Sequence, residues 1–135
     1  MITPIEKKTI APIGFEKDVL TERIMGYCFK IHNELGPGFP ERIYHNAFNS
    51  ILKDKKIIFN TEKEFDVYFN NKKIGKFRCD LVVEDRLIIE IKAVEGYMPK
   101  IFMYQVLSYL KAAKIKTGLL INFGNQSCDV KRLSV

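Results

Sequence analysis

Histidine and cysteine are scarce in this chain, and that scarcity closes off much metal and thiol chemistry. Two histidines, His32 and His45, and three cysteines, Cys28, Cys79 and Cys128, occur among 135 residues. No cysteines show C-x-x-C spacing and neither histidine belongs to an H-E-x-x-H pattern, so a zinc finger or zinc hydrolase is not expected. The cysteines are odd in number, far apart and set in apolar surroundings, which suits buried, reduced thiols. No G-x-x-x-x-G-K-[ST] loop is present, which excludes the P-loop class. Apolar runs such as Leu119-Leu120-Ile121 fall far short of the ~18 residues of a membrane span. Residues Met1 to Lys8 lack the apolar stretch of a secretory signal, so a soluble, cytoplasmic protein is expected.

What is present suits one folded unit. A single core commonly serves roughly 100–200 residues. With 47% apolar residues, 10 Phe and 6 Tyr, the composition is not that of a disordered chain. Lys and Arg number 22 against 16 Asp and Glu, a net charge of +6. The basic residues read as scattered, from Lys53, Lys55 and Lys56 through Lys72, Lys73, Lys76 and Arg78 to Lys111, Lys114, Lys116, Lys131 and Arg132. Scattered lysines make a soluble surface, with a mild leaning toward polyanionic partners.

Residues 1–15 mix proline, lysine and isoleucine without a period and are expected to form a loose arm before a single domain at 16–135. From Asp18, Leu20, Ile24, Tyr27, Cys28, Ile31 and Leu35 recur at helical spacing, and Gly36-Pro37 stop that helix. Pro40 suits the first turn of a second helix, with Glu41 favoured near its positive end. Its apolar face is Ile43, Tyr44, Ala47, Phe48, Ile51 and Leu52. Phe65, Val67 and Phe69 alternate with polar neighbours as a strand. A second strand is expected over 74–83, a third over 87–92, a helix over 99–113 and a buried strand over 117–123. A last short strand falls around 128–133. Three meandering strands, a crossover helix and a buried fourth strand describe a mixed sheet flanked by helices.

The acids on the second and third strands are the informative residues. Period 2 puts Ile88, Glu90 and Lys92 on one face of the third strand, and Arg78, Asp80 and Val82 on one face of the second. A hairpin centred on Asp85 sets Asp80 opposite Glu90. Two carboxylates so placed repel, and an apolar strand offers little water to screen them. A hard divalent cation such as Mg²⁺ would remove the conflict, with Lys92 beside it. The pattern also fits a solvated strand edge, with Asp80 paired to Arg78 or Arg86. Tyr44 and Tyr109 are expected to pack against the sheet with bonded hydroxyls. His32 is expected at an exposed helix end, and His45 shares the helix face of Glu41.

Five segments in order carry a resemblance. They are Gly38-Phe39-Pro40-Glu41-Arg42-Ile43-Tyr44 after Leu35-Gly36-Pro37, the Ile74–Leu81 segment ending in Cys79-Asp80-Leu81, and Ile89-Glu90-Ile91-Lys92-Ala93-Val94. Gln105-Val106-Leu107-Ser108-Tyr109-Leu110 and Gly118-Leu119-Leu120-Ile121-Asn122-Phe123-Gly124 complete the set. Over residues 18–133 the chain resembles the GxxExxY protein family, grouped with the PD-(D/E)XK nuclease superfamily. The resemblance implies an α/β (α+β) restriction-endonuclease-like core, a mixed four- to five-stranded sheet flanked by helices in the order α-α-β-β-β-α-β, with a short final strand. It implies that Asp80, Glu90, Glu41 and the backbone carbonyl of Ile91 hold Mg²⁺ or Mn²⁺. Lys92 would position the attacking water and Gln105 would support the cluster. The expected activity is metal-dependent phosphodiester hydrolysis, with DNA read through its backbone or shape. The alternative is a nuclease fold that binds nucleic acid or protein without cutting. The same resemblance allows a homodimer, although no motif fixes the oligomeric state.

Overall fold

The computed structural model describes residues 18–135. The arm expected over residues 1–15 lies outside them. The first helix, α1, runs Val19–Leu35. It starts where the Asp18 carboxylate accepts hydrogen bonds from the amides of Leu20 (3.1 Å) and Thr21 (3.3 Å) and from the Thr21 hydroxyl (2.7 Å). It stops where Gly36, at φ 69°, donates its amide to the carbonyl of His32. Helix α2, Glu41–Asp54, follows with Pro40 at its N-cap. Strands β1 (Phe59–Phe69), β2 (Lys72–Val83) and β3 (Leu87–Lys92) form a meander. Helix α3, Lys100–Ala113, crosses over to β4, Thr117–Asn122, and β5, Asp129–Ser134, closes the sheet.

The five strands lie side by side in chain order. Only β3 and β4 are parallel; the other neighbours are antiparallel. The parallel pair follows from α3, because a crossover helix returns the chain in its original direction. Helices α1 and α2 cover one face, where Ile24, Phe48 and Tyr44 meet Leu87, Ile89, Ile91 and Ile121. Helix α3 covers the other, where Val106 and Leu110 meet Ile88, Val82 and Leu120. Strand β3 is thus sandwiched on both sides, and its Leu87 to Ile91 are all buried. Cys28, Cys79 and Cys128 are free thiols, the first two buried. Among the described residues, no helix is long and apolar enough to cross a membrane.

The first strand begins six residues earlier than the alternation at Phe65 suggests. Residues Asn60-Thr61-Glu62-Lys63 are polar on both faces, because this stretch is the sheet's edge and has no second helix layer to bury it. Other strand and helix limits fall within two residues of expectation.

The connection after β3 is pinned to the end of β4. Asn122 is buried, and its amide group exchanges two hydrogen bonds with the backbone of Val94, each 2.9 Å. Asn125 does the same with Gly96, at 2.8 and 2.9 Å. Gly124 lies between them, so close to Val94 that an added Cβ would stand 2.3 Å from its carbonyl oxygen. At Gly118 the added atom would meet only side chains closely, Val106 at 2.9 Å and Leu110 at 3.4 Å. Gly124→Ala is therefore expected to lower the melting temperature by about 10 °C or more, and Gly118→Ala by less than half as much. Thermal denaturation of the two variants checks the order; equal losses would show that the backbone contact is not the constraint.

Candidate functional site

The site grows from a fork between β2 and β3. Their ladder runs Val83↔Leu87, Val82↔Ile88 and Leu81↔Ile89, the register expected from a turn at Asp85. The next rung would pair Asp80 with Glu90, and there the backbone ladder ends. Side chains take its place. The Asp80 amide donates to Glu90 Oε1 at 3.0 Å, and the Ile91 amide donates to Asp80 Oδ2 at 2.8 Å. The amide and carbonyl of one strand residue leave the chain on the same side. The Ile91 carbonyl therefore points toward the fork, while the Lys92 carbonyl accepts from the Phe123 amide on the β4 side at 2.9 Å.

Asp80 is off the other ladder as well. Strands β1 and β2 pair at Thr61↔Leu81 and again at Lys63↔Cys79, skipping Glu62 and Asp80. Glu62 has φ 54°, uncommon for a residue with a side chain. The strand bends here and its alternation breaks. Cys79 and Val82 both pack on the α3 side, whereas Leu81 and Val83 face α1 and α2. Arg78, beside Cys79, thus points away from the layer that Val82 enters. The expectation that Arg78, Asp80 and Val82 share one face is overturned, because two successive side-chain bonds replace a ladder rung at Asp80.

The electrostatic conflict read from the sequence is present in the fold. Glu90 is 5% exposed. Burial first, and the adjacent Asp80 charge second, push its carboxyl up to about 8. The Asp80 amide and Lys92 oppose that rise without cancelling it. The same burial and the same two acids lift the Cys79 thiol to about 12. The arginines proposed to neutralise Asp80 are engaged elsewhere. Arg78 pairs with Glu62 (3.2 Å) and Glu64 (3.8 Å), and Arg86 with Asp18 (3.5 Å) and Glu84 (3.4 Å).

Lys92 is held by α3. Its Nζ donates to Gln105 Oε1 at 3.3 Å and stands 4.4 Å above the centre of the Phe102 ring. Phe102, Gln105 and Tyr109 are three and four residues apart, so they share one stripe of the helix. Tyr109 hydrogen-bonds Gln105, and its ring stacks on Phe77 at 4.3 Å, which stacks on Phe65 at 5.4 Å. That aromatic series ties α3 to the β1–β2 hairpin and fixes Gln105 over the sheet. Gln105 lies beside Lys92 as expected, while Phe102 also packs against the core on the α3 side. Its cationic neighbour shows only in three dimensions.

The G-x-x-E-x-x-Y segment is a turn with an anchor. Tyr44 is buried, with its ring parallel to Phe123 at 4.5 Å. Its hydroxyl donates to the Gly36 carbonyl at 2.6 Å and accepts from the Phe39 amide at 3.2 Å, as expected for a bonded tyrosine. Gly38 has φ 113°, which suits glycine alone. Glu41 is the exposed first residue of the helix so positioned. Its carboxylate is not gathered with Asp80 and Glu90. Among the described residues, no three His, Cys, Asp or Glu side chains are grouped to hold a metal ion. His45 bonds Thr61 Oγ1 at 2.8 Å. His32, expected at an exposed end, is buried because Phe123 and the β4–β5 loop cover it, and its Nε2 lies 2.7 Å from the Asn125 carbonyl oxygen.

The raised Glu90 carboxyl has a stability consequence in metal-free protein. The folded chain keeps a proton that the unfolded chain loses near the ordinary value of 4.5 and that the fold releases only near 8. Stability therefore falls as pH rises across that window. Glu90→Gln copies the protonated form and can still accept the Asp80 amide. In EDTA, from about pH 5 to about pH 9, the variant should lose on the order of 5 °C less than the wild type. Parallel melting curves across that range would remove Glu90 as the source.

Comparison with known proteins adds the family. No curated protein matches this chain. The crystal structure of SSO0001 is similar, with a TM-score of 0.56 and 22% identity over 69% of this chain and 48% of that one, so the match spans about half of SSO0001. That likeness concerns the fold. The observed order α-α-β-β-β-α-β-β on a mixed five-stranded sheet agrees with the expected restriction-endonuclease-like core. The profile of the PD-(D/E)XK nuclease superfamily matches residues 18–133, from the cap of α1 into β5, and the chain therefore belongs to that superfamily.

Proposed function

We propose that this protein is a divalent-metal-dependent phosphodiester hydrolase of nuclease type, acting on DNA. The observation that carries this reading is the fork, where Asp80 and Glu90 face each other with backbone donors on both and no arginine between them. The donor set fits a hard cation. Two carboxylates and a carbonyl supply oxygen alone, which favours Mg²⁺ or Mn²⁺ over softer ions. Asp80, Glu90 and the Ile91 carbonyl would hold the ion, and Glu41 is the further acid that the family resemblance assigns to its shell. When bound, such an ion polarises a phosphoryl oxygen and lowers the pKa of a coordinated water.

The chain's own residues supply the rest. Gln105 fixes the Lys92 ammonium, which orients the attacking water or offsets negative charge developing on the phosphate. Phe102 beneath Lys92 limits its solvation and its wandering. A second reading, binding without cutting, is favoured by the separation of Glu41 from the acid pair.

Plasmid and branched-DNA substrates distinguish the two. With Mg²⁺ or Mn²⁺ the wild type should cut, EDTA should stop it, and Lys92→Ala should slow it by about 10² or more. Cleavage that persists in the Asp80→Ala/Glu90→Ala double variant would sink the hydrolase reading. If divalent ions neither raise the melting temperature nor produce cleavage, the binding module stands.

A further inference from the structure

Lys92 stands where a salt bridge to the acid pair would be expected and makes none. It follows Glu90 by two residues on β3, so the two side chains leave the same face of the strand about 7 Å apart. Asp80 lies across the fork from Glu90, which sets two carboxylates within reach of one ammonium. That ammonium turns to α3 instead. Among the described residues its partners are Gln105 Oε1 at 3.3 Å and the Phe102 ring at 4.4 Å, and neither carboxylate is one of them. Its charge still acts on Glu90 from a distance, opposing the rise of that carboxyl.

Both partners are neutral, and that sets them apart from the acids. An amide oxygen and the face of an aromatic ring attract a cation without cancelling its charge. Helix α3 carries no Asp or Glu between Lys100 and Ala113, so the helix that takes the ammonium has no carboxylate to neutralise it. The grip is itself supported. Phe102 packs against the core on the α3 side, and Gln105 is hydrogen-bonded to Tyr109, whose ring stacks on Phe77. An ammonium lodged between Asp80 and Glu90 would relieve their repulsion and occupy the oxygens that a metal ion needs.

We propose that Phe102 and Gln105 are positioning residues that hold the Lys92 ammonium off Asp80 and Glu90, leaving the acid pair open to a divalent cation. The like-charge conflict at the fork is thereby kept for the ion that resolves it, and the ammonium keeps its whole charge for a phosphate oxygen. The consequence for metal binding rests on the nuclease reading; the separation of Lys92 from the acids does not. With the two holders removed, Lys92 competes with the metal beside which it works, and deleting the lysine then restores metal binding.

Mn²⁺ binding to the full chain, followed by the electron paramagnetic resonance of the free ion, tests this through a cycle of variants. Phe102→Leu keeps an apolar side chain in the core and removes the ring. It should weaken Mn²⁺ binding about fivefold, and Phe102→Leu/Gln105→Leu about tenfold. Phe102→Tyr keeps the ring and should stay within about twofold of the wild type. Adding Lys92→Met to either weakened variant should return its affinity to that of Lys92→Met alone. A second cycle needs no metal. In EDTA, Lys92→Met should lower the melting temperature by about 3 °C more in the Phe102→Leu/Gln105→Leu protein than in the wild type, because only there does the lysine pair with the acids. A loss of Mn²⁺ affinity that Lys92→Met leaves uncorrected would overturn the proposal, since Phe102 would then act on the shape of the site and not through the lysine. So would an affinity that Phe102→Leu/Gln105→Leu leaves unchanged. If the wild type takes up no Mn²⁺, the hydrolase reading falls, and equal losses in the two EDTA backgrounds would then remove the holding role as well.

Discussion

Everything at the site depends on one exchange, in which two carboxylates replace one rung of a β-ladder. The Asp80 amide would otherwise face a diverging strand with no acceptor, and Glu90 Oε1 accepts it. The Ile91 amide would be orphaned by the same divergence, and Asp80 Oδ2 accepts that one. A buried amide without a partner costs about 1–3 kcal/mol, so each acid satisfies a backbone demand before any ligand is considered. The result places two like charges together in a buried setting. That arrangement is tolerable with a shared proton or a bound cation, and the raised Glu90 carboxyl is the signature of the conflict.

Side chains standing in for strand hydrogen bonds recur at this end of the sheet. Asn122 and Asn125 each offer an amide group to a segment of backbone that has left the ladder. Their primary amides donate and accept at once, as a peptide group does, so each ties down a full backbone unit. Asn122 is also the β4 partner of Lys92. The E-x-K strand is thus fixed on one side by the Asp80 carboxylate and beyond its end by the Asn122 amide. Tyr44 completes the set from the opposite layer, joining the α1–α2 turn to Phe123, whose amide bonds the Lys92 carbonyl. Polar residues in three separate parts of the chain converge on the backbone around Lys92.

Much of this was legible because it follows from strong local signals. Gly36 followed by Pro37 marks a helix end regardless of context, and β3 is a short apolar run bounded by a turn and a polar exit. The pairing of Asp80 with Glu90 followed from one turn at Asp85, since an antiparallel register propagates without further information. The bend at Asp80 was not legible. It depends on Glu62 adopting a left-handed conformation for which glutamate has no preference, and on carboxylates bonding amides that a sequence does not show as free. The burial of His32 was hidden for a similar reason, because the chain that covers it arrives from Asn125, far along the sequence.

Charge shows how a sequence feature can be visible and still be misjudged. Counted along the whole chain, the lysines look scattered and +6 looks like ordinary surface. What matters is where acids are missing, and the gap from Glu95 to Asp129 takes in α3 and β4. The α1–α2 layer has acids and bases interleaved, as in the Lys30–Glu34 pair, and buries Tyr44, Phe48 and Ile24. That layer builds the core and fixes the turn before Glu41. The α3 layer holds Lys92, faces the acid pair and carries a one-signed surface. The helix that grips Lys92 is thus also the one without an acid, and its lysines would favour a polyanion over a neutral partner. Changing α3 would then move Lys92 itself, whereas changing α1 would act through the stability of the core.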